Sequence, residues 1–184
     1  MATDKQTASN SNVDLKAIAD VLAAALTAKA LDKEGFRATL AKAAGNGIAA
    51  DQADKILAKA GFDADHGVRP QQLATTRQIL ILGADAVAKI DSAAKKAMED
   101  KSISGNWTVI ANAIAKRMVD DKQPFDAAKA AAIQTAKRRA AIDAAKAVAA
   151  RAAKMLRAVQ KDFGLDGKDA AKLETALTTL EKLA

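Results

Sequence analysis

From Phe125 to Phe163 the chain runs for 39 residues without a glycine or a proline. Nothing in that run stops a helix, and Pro124 and Asp126 suit a helix start. A helix over 124–163 would be about 60 Å long at ~1.5 Å per residue. A compact chain of this size is only about 40 Å across. The sequence therefore predicts a helix that protrudes, bends, or belongs to an elongated bundle or an oligomer.

Alanine makes the same point for the whole chain. Hydrophobic residues are 50% of it, but 49 of the 184 residues are alanine, which leaves 43 larger apolar side chains. Alanine is the best helix former but buries little area. A sandwich or barrel would need many more β-branched and aromatic residues, and the absence of Cys excludes a disulfide scaffold. The expected fold is all-α: an elongated multi-helix bundle of about seven helices, with one long basic Ala-rich helix near the C-terminus.

Periodicity and capping residues place the elements. Residues 1–11 read as a flexible polar tail, 12–121 as a helical bundle, and 122–184 as the long basic helix with a short final helix packed on the bundle or projecting from it. The first helix begins at Asn12, capped by Asn12 or Ser11, with Val13, Ile18, Val21, Leu22 and Leu26 on one face. Asp32 and Glu34 start the second, which carries Phe36 and Leu40 and stops at Gly45-Asn46-Gly47. The third covers 50–60 and the fourth, opened by Pro70, runs to about Glu99, continuous through an apolar centre at 79–82. Ser104 or Asn106 caps the fifth, which holds Trp107, Val109, Ile110, Ile114, Met118 and Val119; Trp107 reads as a core anchor. The last helix, near 168–183, carries Leu173, Leu177 and Leu180. The long helix shows an apolar stripe at Ala141, Ala144, Val148, Ala152, Met155, Val159 and Phe163. Its mean step is about 3.67 residues, the eleven-residue period of a straight or slightly right-handed helix pair.

Charge is localised. Lys plus Arg number 29 and Asp plus Glu 22, a net +7. Residues 124–163 carry nine Lys/Arg and three Asp, a net +6, which leaves +1 for the rest of the chain. Lys146, Lys154, Arg157 and Lys161 share one helix face, Arg151 lies beside it, and Lys137, Arg138 and Arg139 form a cluster round the helix. Such a line of cations neutralises phosphates without reading sequence, and no aromatic lies among them to stack bases. These eight residues are the candidate nucleic-acid-binding set. An apolar face made mostly of alanine argues against an interfacial membrane helix, and no stretch is long and apolar enough to span a bilayer.

Other motifs fall short. Residues 40–57 have the outline of a helix-turn-helix, but Asp51 and Asp54 would face the phosphates; Asp51 fits better as a helix N-cap. The acidic stretches 63–67 and 162–167 lack the Glu that closes a calcium loop, so their aspartates suit caps and turns. His66 is the only histidine and lies in a polar loop, where an exposed, idle imidazole is expected. No Cys nucleophile, GxSxG, P-loop or GxGxxG is present. No catalytic, cofactor-binding or metal-binding residue is expected. The pattern favours a non-enzymatic structural or assembly protein, such as a virion or nucleoprotein component. It would associate with itself or with other assembly proteins and contact DNA or RNA backbone through the basic helix. The alternatives are a soluble, sequence-nonspecific nucleic-acid-binding or regulatory protein, and a helical module for an acidic protein partner. The expected location is the cytoplasm, or a particle assembled there.

Overall fold

The computed structural model describes residues 15–29, 31, 34–163 and 167–183. Among them the chain is all-α, with seven α-helices, one 3-10 turn and no strand. The helices are α1 (Leu15–Thr27), α2 (Glu34–Ala44), α3 (Ala50–Lys59), α4 (Pro70–Ala97), α5 (Trp107–Val119), α6 (Phe125–Phe163) and α7 (Gly167–Leu183). The expected tail 1–11, the cap at Ser11 or Asn12, and Val13 lie outside the described residues. The chain divides into two compact units, Met1–Glu99 with Gly105–Ile133, and Asp100–Ser104 with Gln134–Ala184.

In the first unit the apolar periodicity becomes a core. Ile18 and Leu22 of α1, Leu40 of α2, Leu57 of α3, Phe62, and Ile79, Leu80 and Val87 of α4 are buried together. Each such Leu or Ile contributes about 1.5–3 kcal/mol by leaving water. The small residues Ala41, Ala44 and Ala53 are buried among them, where a larger side chain would hold the helices apart. Further along, Ile90 and Ala94 of α4 and Ile110, Ala111, Ile114 and Ala115 of α5 are also buried. Asn106 caps α5 as expected, its Oδ1 accepting from the Thr108 amide at 3.0 Å. Trp107 is only half-buried, with the Lys95 Nζ 4.7 Å from its ring centroid. It anchors the start of α5 at the edge of the core.

Two expectations are corrected here. Asp51 is not the cap of α3: the helix starts at Ala50, Ala49 holds the cap position without a side-chain bond, and Asp51 lies in the first turn. There it favours the positive end of the helix dipole. The second correction concerns α4, which is not continuous. Gly83 breaks it, with φ +74° and ψ −178°, a conformation open essentially to glycine alone. The break frees backbone groups, and the α2–α3 turn takes them up. The Ile48 amide donates to the Leu80 carbonyl at 2.9 Å, and the Ala84 amide donates to the Gly45 carbonyl at 2.7 Å. The approach is backbone to backbone. A Cβ on Gly83 would overlap the Gly47 nitrogen and the Gly45 carbonyl oxygen, and one on Gly47 would overlap the Ile81 carbonyl. The apolar run 79–82 thus ends in a bend on which the turn 45–48 is clasped.

A buried ion pair ties α2 to α4, and the same arginine hydrogen-bonds to α5. Arg37 is 6% exposed. Its Nε donates to both carboxylate oxygens of Asp91, at 2.8 and 3.0 Å, and its Nη1 donates to Asn112 Oδ1 at 3.0 Å. Asp54 of α3 accepts from Arg77 of α4 at 2.6 and 3.1 Å, and the guanidinium holds that carboxyl below the ordinary carboxylate range.

The second unit is built differently. Among its described residues, Ile103, Ala149, Ala153 and Leu177 are the buried hydrophobics. Arg157 of α6 pairs with Glu181 of α7. The expected stripe on α6 is not the packed face: Val148, Met155 and Val159 are 64%, 70% and 40% exposed. The buried alanines lie roughly 100° further round the helix, one residue on. Leu156 lies on that same face and is half-buried, so the choice between the two lines follows Leu156 rather than Met155. The side chain of Phe163 lies outside the described residues.

Candidate nucleic-acid interface

α6 is one unbroken helix of 39 residues, so positions along it follow from helical geometry. At ~100° per residue, Arg139, Lys146, Lys154, Arg157 and Lys161 fall within a sector about 80° wide. The shared face expected for Lys146, Lys154, Arg157 and Lys161 is therefore real, and Arg139 joins it. From Arg139 to Lys161 the face extends about 33 Å, at ~1.5 Å per residue. Arg151 lies about 60° to one side of the sector, Arg138 about 80° to the other, and Lys137 on the opposite surface. So the cluster 137–139 contributes one cation to the face, not three.

All eight candidates are exposed. Two are engaged. Lys137 Nζ lies 2.7 Å from Asp100 Oδ2, and Arg157 pairs with Glu181. The Lys137 ammonium, helped by the Ser102 hydroxyl and amide, holds the Asp100 carboxyl well below the ordinary carboxylate range. Among the described residues, Arg138, Arg139, Lys146, Arg151, Lys154 and Lys161 have no acidic partner. One feature of the face was missed by counting cations: Asp143, exposed, lies in the same sector between Arg139 and Lys146. It lowers the local potential at the sparser end of the line, where Arg139 and Lys146 are seven residues apart.

The surroundings of this face are unusual for a folded protein. Residues 141–148 are exposed on every side of the helix. An exposed rod of this kind offers cations without steric cover, and its backbone is already ordered, so a ligand would not have to order it.

The remaining candidates have structural roles. Asp63 caps the 3-10 turn Ala64–His66, its Oδ1 accepting from the His66 amide at 3.1 Å. His66 is exposed but not idle: its Nδ1 lies 2.8 Å from the same oxygen, and the carboxylate raises the imidazole pKa. Asp51 lies 3.7 Å from Lys55, and Asp54 is held by Arg77. Most of the acidic stretch 162–167 lies outside the described residues. Among the described residues no group of three or more His, Asp or Glu is placed to hold a metal ion. Nor is any described helix long and apolar enough to cross a membrane. No family model, curated protein or solved structure matches the chain.

Proposed function

We propose that this chain is a non-enzymatic structural or assembly protein, of the kind that builds a virion or a nucleoprotein, and that α6 holds nucleic-acid backbone without reading sequence. One observation carries the proposal: four exposed cations without an acidic partner, Arg139, Lys146, Lys154 and Lys161, along one face of a continuous helix. A span of about 33 Å is close to one turn of B-form DNA, ~34–36 Å. Cations set on such a rod favour phosphate contact, and the lack of aromatics among them favours backbone over base recognition.

The test is a salt titration of binding to random-sequence duplex DNA and to single-stranded RNA. With four phosphate contacts the slope of log K against log salt on duplex DNA is expected near −3.6, at about −0.9 per contact. Reversing the four charges together (R139E, K146E, K154E, K161E) should abolish binding and leave the helical circular dichroism unchanged, while Asp143→Asn should tighten it. Wild-type affinity retained by the quadruple variant would overturn the proposal.

The assembly part rests on a second observation, the exposure of Val148, Met155 and Val159 on the surface of α6 opposite the cations. Light scattering at low and high salt, with and without DNA, checks it. A large species persisting in high salt without nucleic acid supports assembly; a small one that binds DNA only at low salt leaves a soluble nucleic-acid-binding protein instead.

A further inference from the structure

The turn that clasps α4 carries the one Asn-Gly pair in the chain, Asn46-Gly47. The other asparagines, Asn10, Asn12, Asn106 and Asn112, are followed by Ser, Val, Trp and Ala. An Asn-Gly pair is chemically labile. The nitrogen of the following residue can attack the asparagine side-chain carbonyl, and glycine, with no Cβ, leaves that approach open. In a folded chain the reaction then depends on whether the nitrogen is free.

Here it is held. The Gly47 amide donates to the Ala44 carbonyl at 2.9 Å. On one side of the pair the Gly45 carbonyl accepts from the Ala84 amide at 2.7 Å, and on the other the Ile48 amide donates to the Leu80 carbonyl at 2.9 Å. The Gly47 backbone is pressed against that of Ile81, so closely that a Cβ would not fit. Ala44 and Ile48 are buried on either side of the pair. Asn46 itself is exposed, so water reaches its side chain. The nitrogen becomes a nucleophile only after losing the proton that Ala44 holds, as in amide exchange. Closing a ring onto Asn46 would also pull Gly47 away from Ile81.

We propose that Asn46 is a site of spontaneous deamidation gated by the clasp. When the clasp opens, hydroxide takes the Gly47 amide proton and the nitrogen bonds to Asn46 Cγ. The Cγ–Nδ2 bond breaks, and the nitrogen leaves as ammonia with a proton from water. A second water opens the cyclic imide at either carbonyl, giving aspartate or isoaspartate at position 46. Isoaspartate runs the main chain through its Cβ, one atom longer than before. That atom lies between the Gly45 carbonyl and the Ile48 amide, the two groups of the turn that hold the bend. The product therefore loses the register that closes the clasp, and the change is irreversible. The site is independent of the α6 face and of any nucleic-acid role.

The test incubates the full chain at mildly alkaline pH, folded and in guanidinium chloride, and follows the peptide containing position 46 by mass spectrometry. The rate tracks the population of the open clasp, so the folded chain should convert at least tenfold more slowly than the unfolded one. Gly83→Ala, which forces the clasp apart, should speed conversion of the folded chain, its fold being checked by circular dichroism. The wild-type comparison stands without that variant. The isoaspartyl product, separated by ion exchange, should show a lower urea midpoint than the unreacted chain. Asn46→Asp, which carries the charge without the extra backbone atom, should stay close to wild type. Equal rates folded and unfolded, no conversion of the unfolded chain, an unchanged rate in a folded Gly83→Ala variant, or a wild-type midpoint for the isoaspartyl product would each overturn the proposal.

Discussion

The two units spend the same abundant residue in opposite ways. In the first, alanines such as Ala41, Ala44, Ala94 and Ala111 are buried and let helices approach around Leu and Ile side chains. In the second, Ala141, Ala144, Ala145 and Ala147 are exposed and bury nothing. There alanine acts through intrinsic propensity: it keeps a two-turn stretch helical with no packing behind it. The lesson is that alanine content alone does not distinguish a tightly packed bundle from a bare rod. The larger side chains around it do.

Four substitutions or titrations separate the two regimes. The largest effect belongs to the clasp. Gly83→Ala adds strain at positive φ and a Cβ against the backbone of 45–47. Strain of about 1–3 kcal/mol and overpacking of similar size predict a loss of about 2–6 kcal/mol, read from the urea midpoint of the first unit. If Gly83→Ala left that midpoint unchanged, the backbone clasp would not be what sets the bend.

Next comes the buried ion pair. Arg37→Ala takes the guanidinium away from the Asp91 carboxylate, whose side chain is 19% exposed, and should cost about 3–5 kcal/mol. Adding Asp91→Ala should restore part of that loss, so a double-mutant cycle by thermal melts gives a positive coupling. Simple additivity would show that the pair is not coupled.

In the bare stretch of α6 the effect is smaller and local. Ala145→Gly is expected to cost about 1 kcal/mol of helix. Faster amide exchange should appear at 141–148 with the first unit unaffected. A loss that also lowered protection in the first unit would show that the exposed stretch is not energetically separate.

The smallest concerns His66. Asp63 raises the His66 pKa, and His66 lowers that of Asp63. The imidazolium's contribution is therefore complete below the ordinary histidine pKa and fades as pH rises through the raised value. The carboxylate's contribution is present above its ordinary range and is lost as pH falls through the lowered one. Between those limits both groups are charged and the 3-10 turn is reinforced. Both are exposed, so the effect on stability is slight, but an NMR titration should place the His66 midpoint above that of a free histidine, and Asp63→Asn should return it.

These regimes also explain what was legible in the sequence. Pro70, Asn106 and Pro124 mark the helix starts because caps and prolines act locally, and Gly45 ends α2 for the same reason. The shared face of Lys146, Lys154, Arg157 and Lys161 was legible because an unbroken helix fixes angles from spacing alone. The break at Gly83 was not. A glycine within an apolar run is tolerated in a helix at modest cost, and only the arrival of 45–48, through bonds spanning 32 and 39 residues (80 − 48 and 84 − 45), gives the break its hydrogen bonds. Arg37 was missed because nothing local marks an arginine for burial; its partners Asp91 and Asn112 are 54 and 75 residues away. The line of Val148, Met155 and Val159 misled for a related reason. Alanines occupy the neighbouring line as well, and it is Leu156 on that line, not Met155, that is half-buried with them.

The bend in α4 bears on the order in which the first unit forms. Until the α2–α3 turn docks, the Leu80 carbonyl and the Ala84 amide have only water or a regular helix to satisfy them, which favours a straight α4. That straight helix is the natural competitor of the native fold. The hydrogen bonds of the bend couple its formation to docking of the turn, so α2, α3 and both halves of α4 are expected to open and close together. A segment that reads as three successive helices in sequence is joined through this one bend.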